Sequence, residues 1–218
     1  MDKTTSIQSI INEFIQHIEN QHPIAASELP NIDLYMDQVT TFMDEHLEHS
    51  KRYEDDKILT KTMINNYTKN KLLPPPEKKR YTKEHMLVLI FIYYFKSFLP
   101  LGDIQAILKP VTSYFFNSDQ DYNIQDIYSE IYAQGKEQIG KTIRDILNSY
   151  HTAANSFKDC PEENREFMQV FAFICILSFD IYLKKEVIEN MIDSLPQLPG
   201  EQKDRSGKEG KAGKREKS

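Results

Sequence analysis

The sequence predicts an all-α protein with at most a short two-stranded wing. Apolar residues recur at three- and four-residue spacing over several long segments, which is typical of helices that bury one face. Isoleucine, leucine, lysine and glutamate are prominent, whereas the 218 residues include only seven glycines and no tryptophan. This composition favours helices over a turn-rich sheet protein, and the chain is long enough to bury a compact core.

Three helices are expected in the amino-terminal part of the chain. The first runs from about Ser6 to Asn20 and the second from about Leu34 to Glu48. The third begins near Thr60, a suitable N-cap, and ends before three consecutive prolines. The spacing of its apolar and aromatic residues predicts that its core contacts come from Met63, Ile64, Tyr67 and Leu72.

The segment PPPEKKRY is too short and too rich in proline for a helix, so it predicts a loop or a two-stranded wing. Thr82 is then expected to cap a helix from about Lys83 to Phe98 that is apolar on nearly all sides. A small helix follows Pro100 and is predicted to stop at Pro110. An aromatic connector is expected over residues 113–122, where core packing is favoured over an effector pocket.

Two long helices are expected in the second half, at about Ile124 to Ala154 and Glu162 to Ser194. Their apolar positions are consistent with a helical hairpin or a dimer seam, although Gly135 and Gly140 weaken the case for an unbroken first helix. Residues 199–218 contain almost no apolar side chain, so we expect a disordered basic tail.

Charge is distributed unevenly along the chain, whose formal net charge is −6. Residues 1–56 contain twelve acidic and three basic residues. Residues 57–83 contain eight basic residues and only one acidic residue, Glu77. Because a polyanion would be attracted to this one segment and repelled elsewhere, the pattern favours an oriented nucleic-acid interface. Interleaved threonines and asparagines, which can hydrogen-bond to nucleic acid, favour the same interpretation over a simple solubilising surface.

The segments LTKTMINNYTKNKLLPPPEKKRYTKEH and FLPLGDIQAIL occur in an order that resembles the winged helix-turn-helix domain of MerR-type regulators. Together with ELPNIDLYMDQV they look more specifically like a bacterial family of unknown function that is described as MerR-like. The chain is therefore expected to have four parts: an amino-terminal helix over 1–27, the MerR-like DNA-binding domain implied by the resemblance over 28–112, a helical dimerisation or effector region over 113–198, and the tail over 199–218.

The resemblance also implies which residues contact DNA. It places Lys61, Thr62, Asn65, Asn66, Tyr67 and Lys69 on the recognition helix, and Lys78, Lys79, Arg80 and Tyr81 on the wing. The implied function is a sequence-specific transcription regulator that binds double-stranded DNA as a homodimer, with an unidentified small-molecule effector left open. Two alternatives stay open: a helical protein-interaction module whose basic face meets an acidic partner, and an RNA-binding protein.

Other function classes find little support in the sequence. No glycine-rich phosphate loop, GxSxG or HExxH motif is present, so we expect no enzyme activity and no cofactor. Cys160 and Cys175 lack metal-ligand spacing, no metal site is expected, and Cys175 is predicted to pack in the core. The apolar runs 86–95 and 168–183 predict buried helices rather than membrane spans. Without a recognisable signal peptide, a cytoplasmic location is expected.

Overall fold

The computed structural model describes residues 7–20, 23–118 and 121–198. About 68% of the described residues are helical and they contain one two-stranded sheet, which confirms the predicted all-α class. The helices are α1 (Ile7–Asn20), α2 (Met36–Leu47), α3 (Lys61–Lys69), α4 (Lys83–Lys96), α5 (Leu101–Phe115), α6 (Ile124–Ala154) and α7 (Glu162–Asp193). The strands are β1 (Leu34–Tyr35) and β2 (Arg80–Tyr81), and a short 3₁₀ turn spans Glu48–Ser50.

The two strands come from separate parts of the chain. They pair antiparallel, with Leu34 opposite Tyr81 and Tyr35 opposite Arg80. The wing predicted within PPPEKKRY is therefore only partly local: a tight turn closes between Glu77 and Arg80, but the strand that pairs with Arg80 precedes α2. Since α2 begins at Met36, this pairing attaches the basic turn directly to the start of that helix.

Helix α5 is longer than predicted, because it continues through Pro110 to Phe115. An interior proline removes one backbone donor and costs about 3 kcal/mol. Burial of Ile104 and Leu108, with Phe115 packed against the same core, offsets this cost. The predicted helix end at Pro110 is wrong. The predicted domain boundary between residues 112 and 113 falls inside α5, so we correct it as well.

Helix α4 lies at the centre of the core. Every residue from His85 to Ile92 is buried, so the helix is covered on all sides. The contiguous core around it extends from Ile24 to Tyr128 and therefore includes the start of α6. The Tyr128 hydroxyl donates a hydrogen bond to the backbone carbonyl of Ile24, which links the two ends of this core.

Helices α6 and α7 form the predicted hairpin, and α6 continues without interruption through both glycines. The side chain of Gln169 on α7 donates to the carbonyls of Ala154 and Ser156, at 2.8 and 3.3 Å. Further along α7, Ile188 and Ile192 pack against the central core. By length and composition alone, α7 is apolar enough to cross a membrane. The predicted helix start at Ser6 and the predicted tail lie outside the described residues.

His85 connects the basic turn to the buried helix. Its Nδ1 accepts hydrogen bonds from the backbone N–H of Thr82, at 3.0 Å, and from the Thr82 hydroxyl, at 2.8 Å. The ring is 2% exposed and meets Tyr81 and Phe116 edge-on. Desolvation by burial lowers the pKa of His85, and protonation of Nδ1 would also remove the hydrogen bond from the Thr82 backbone.

Stability is therefore expected to decrease as the pH falls below about 6.5, the ordinary pKa of histidine. There the unfolded chain binds a proton at position 85 that the folded chain does not take up. His85→Gln retains a side-chain acceptor for the Thr82 N–H but does not titrate in this range. Urea unfolding from pH 7 to pH 5 should show a shallower pH dependence for His85→Gln, by at most about 1.4 kcal/mol per pH unit.

The His151→Gln variant, which replaces an exposed histidine, is the control for losing a histidine outside the core. Equal slopes for the wild type and His85→Gln would contradict the assigned role of the buried ring.

Candidate nucleic-acid interface

Helix α3 exposes one continuous polar face. The Thr60 hydroxyl caps it by accepting from the backbone N–H of Met63 at 3.2 Å, as predicted. Ile64 and Tyr67 turn toward the core, and the remaining spacing leaves a polar stripe in solvent. The exposed residues of this stripe are Lys61, Thr62, Asn65, Asn66 and Lys69. Within the described residues, no hydrogen bond engages the side-chain amides of Asn65 and Asn66.

Lys78 and Lys79 form the tip of a tight turn. The backbone N–H of Arg80 donates to the carbonyl of Glu77 at 2.8 Å, which closes the turn over the two lysines. Both have positive φ, at 48° and 64°, a conformation that glycine or asparagine adopts more readily than lysine. This backbone geometry costs about 1–2 kcal/mol per residue. Both lysines are exposed, so no burial of their side chains repays the cost.

The start of α2 brings the turn and α3 together. Asp37 forms an ion pair with Lys61 at the first residue of α3. Two residues earlier, the Tyr35 ring lies 5.5 Å from the Arg80 guanidinium, within the range of a cation–π contact. One short segment thus contacts both basic elements and makes them neighbours. We define the α3–turn surface as Lys61, Thr62, Asn65, Asn66, Lys69, Lys78, Lys79 and Arg80.

The protein's own acidic residues leave most of this surface uncovered. Among the described residues, Lys61 is the one member that forms an ion pair. Lys69, Lys78 and Lys79 form none, and neither do the flanking Lys57 and Lys71. Lys83 is partly buried and donates to Asn31 Oδ1 at 3.3 Å, so it contributes less free charge.

Two tyrosines assigned to the interface by resemblance do not lie on it. Tyr67 and Tyr81 are each 3% exposed, and burial raises the pKa of both phenols. Tyr67 follows Ile64 by three residues on the buried face of α3, whereas Tyr81 sits at an inward position of β2. We therefore correct the prediction: both rings support the surface from below, as the apolar spacing of α3 already indicated for Tyr67.

Three residues near this surface were missed by the sequence reasoning. Asp37 and Tyr35 position Lys61 and Arg80, but no local pattern connects them across the intervening chain. Gln105 on α5 donates to the carbonyl of Asn70 at 3.0 Å, which fixes the end of α3. Beside this bond lies an open cleft of about 390 Å³, lined in part by Lys69 and Lys71.

Metal ligands and cysteine thiols are the other candidate functional groups among the described residues. They include no group of three or more histidine, cysteine, aspartate or glutamate side chains arranged to hold a metal ion. Both cysteines are free thiols. Cys175 is exposed, which overturns the prediction that it packs in the core: it lies on the side of α7 away from α6.

Comparison with known proteins gives a family for part of the chain. No curated protein and no solved structure was found to match it. The match found covers residues 24–131, which span the central core and the whole α3–turn surface. Over these residues the chain is similar to a family of unknown function, in agreement with the coarser part of the predicted resemblance. Residues 24–131 match the family model of a domain of unknown function, DUF1836.

Proposed function

We propose that this protein is a sequence-specific transcription regulator that binds double-stranded DNA as a dimer through the α3–turn surface. The observation that carries the proposal is a set of exposed lysines without acidic partners, placed beside two unengaged asparagine amides on one helix face. A surface that only keeps the protein soluble would need the charged lysines but not the neighbouring asparagine amides. The combination of this charge with asparagine amides exposed on a regular helix favours recognition of a polyanion that also carries readable base edges.

The lysines would supply most of the affinity. Each cation that neutralises a phosphate releases condensed counterions. The logarithm of the binding constant should therefore fall linearly with the logarithm of the salt concentration. Acidic residues dominate the rest of the chain, with thirty-three acidic residues against twenty-seven basic ones overall. A duplex would thus be repelled by other surfaces and directed toward this one.

Asn65 and Asn66 would supply sequence preference. An asparagine amide can donate to and accept from an adenine edge in the major groove, which discriminates by about 1–3 kcal/mol per bidentate contact. The α3 helix is nine residues long and its exposed face carries both amides, so it has dimensions suited to that groove.

The strained turn supports a role for the charges of Lys78 and Lys79. A glycine or asparagine would fit these backbone angles at lower cost, yet the chain has lysine at both positions. Strain of this kind clusters at functional sites. Phosphate contacts would account for the presence of cationic side chains there.

Substitutions should separate base reading from phosphate contact. Asn66→Ala removes only the side-chain amide, because the backbone carbonyl makes the bond to Asn70. In selections from a random duplex library, Asn66→Ala should flatten the preferred sequence. Lys79→Ala should weaken binding to all duplexes alike and lower the slope of log K against log[salt] by about one.

Asn148→Ala and Lys158→Ala, at exposed positions outside the surface, are the matched controls and should bind as the wild type does. Wild-type behaviour of both Asn66→Ala and Lys79→Ala would refute the assigned surface. Failure of the unmodified chain to bind any duplex would favour the acidic-protein alternative, and preference for single-stranded RNA would favour the RNA-binding one.

The turn should show a trade-off between stability and binding. Lys79→Gly and Lys79→Ala remove the same charge, but only glycine relieves the positive φ. We expect Lys79→Gly to raise the free energy of unfolding by about 1 kcal/mol over the alanine variant. Both variants should lose duplex affinity equally in mobility-shift titrations. Thermal unfolding gives the first comparison, and a glycine variant no more stable than the alanine variant would contradict it.

A further inference from the structure

Helix α7 exposes an apolar surface that the rest of the chain leaves uncovered. Every fourth residue from 167 to 183 is exposed and belongs to one ridge, which we call the Cys175 ridge: Phe167, Phe171, Cys175, Phe179 and Leu183. Phe167 is 70% exposed and Phe179 is 62% exposed. Single exposed apolar residues are ordinary, but a continuous set of this size marks an interaction surface.

We propose that a second copy of this chain docks on the Cys175 ridge, with the two α7 helices antiparallel and a two-fold axis beside Cys175. This inference specifies the dimer on which the proposed function depends. The sequence of the ridge is nearly the same in both directions from its centre, since Phe171 and Phe179 flank Cys175 at equal spacing. A two-fold axis there would bring Phe171 of each copy opposite Phe179 of the other, as an isologous interface requires.

The exposed apolar area approaches that of a standard dimer interface. An aromatic side chain buries about 150–250 Å² in an interface. The ridge, with the adjacent exposed residues Ile174, Ile181 and Tyr182, offers about 700 Å² per copy at the observed exposures, against about 800 Å² per partner in a standard interface. Ser178 lies between these side chains and is small enough for close approach.

Charge favours the antiparallel orientation. The first turns of α7 carry Glu162, Glu163 and Glu166, whereas Lys184 and Lys185 lie near the other end of the ridge. Antiparallel pairing about Cys175 brings Glu166 to the level of Lys184 of the other copy. Parallel pairing would instead set one acidic turn against another.

A second copy fits this surface better than a lipid bilayer does. The opposite side of α7 packs against α6. There the Gln169 amide donates hydrogen bonds to two backbone carbonyls, and the ring centroids of Phe173 and Tyr150 lie 5.9 Å apart. Membrane insertion would require α7 to leave α6 or to take its charged residues into the lipid. Asp180 and Lys184, 2.6 Å apart beside the ridge, would also enter the hydrocarbon.

The first test is the mass of the full chain in solution. Sedimentation equilibrium should give twice the 25.6 kDa monomer mass. The double variant Phe171→Glu/Phe179→Glu places charges only at exposed positions, so it should keep the wild-type circular dichroism spectrum and dissociate to the monomer. Tyr53→Glu, a similarly exposed aromatic position outside α7, is the control and should remain dimeric.

The second test uses Cys175 as a reporter of the axis. In a Cys160→Ser background, copper phenanthroline should join the two Cys175 thiols. As the S–S bond forms, each thiol loses its proton to the solvent and one electron to a copper(II) complex, and dioxygen reoxidises the resulting copper(I). Disulfides require Cα atoms within about 7 Å, which a two-fold axis beside this residue provides.

Asn164→Cys in a Cys160→Ser/Cys175→Ser background is the matched control. It lies on the same side of α7, eleven residues from Cys175, so antiparallel pairing separates the two copies of this residue by about 33 Å. No cross-link is then expected, whereas parallel pairing would cross-link both positions.

A wild-type monomer at the highest soluble concentration, a dimer that survives the double substitution, or efficient cross-linking through residue 164 would each overturn the inference. So would a monomer that co-sediments with phosphatidylcholine–phosphatidylglycerol vesicles and loses that binding in the double variant. None of these measurements uses DNA. A dimer without duplex binding would contradict the proposed function alone, and duplex binding by a monomer would contradict only the dimer.

Discussion

The fold depends on the burial of α4. A helix that is apolar around its whole circumference is stable in water only when other elements cover every side. Met86 to Ile92 are all buried, and α5, α6 and β2 contact the helix directly. Helix α3 also contributes Ile64 and Tyr67 to the contiguous core around α4. The basic face of α3 is one result of this arrangement, since Ile64 and Tyr67 occupy the core side of that helix.

The sequence predicted regular helices well because their signals are local. The bounds of α6 agree with those predicted from its apolar spacing, and Thr60 and Thr82 mark the starts of α3 and α4. The predicted helix end at Pro110 was wrong because proline usually ends a helix. In this chain, core contacts with residues distant in sequence stabilise α5 through Pro110 to Phe115. The pairing of β1 with β2 could not be predicted, because no short-range pattern relates Tyr35 to Arg80.

For the candidate site, charge counting located a segment whose basic side chains are largely exposed, whereas Tyr67 and Tyr81, which the resemblance assigned to the interface, are buried. Tyr67 was placed both in the core by its spacing and at the interface by resemblance, and its burial agrees with the spacing. The ion pair between Asp37 and Lys61 joins residues that are far apart in the chain and only becomes visible in three dimensions. The same holds for Cys175, whose apolar neighbours resemble a core sequence although they face solvent.

Attachment of the basic turn to two helices has a consequence for recognition. β2 pairs with β1, which runs directly into α2, and is followed after Thr82 by α4, so the backbone immediately after Lys78 and Lys79 is tied to packed structure. A loop that must be ordered on binding loses about 1–2 kcal/mol of backbone entropy per residue. Here that entropy is already lost on folding. Only the lysine side chains remain to be immobilised when a ligand arrives.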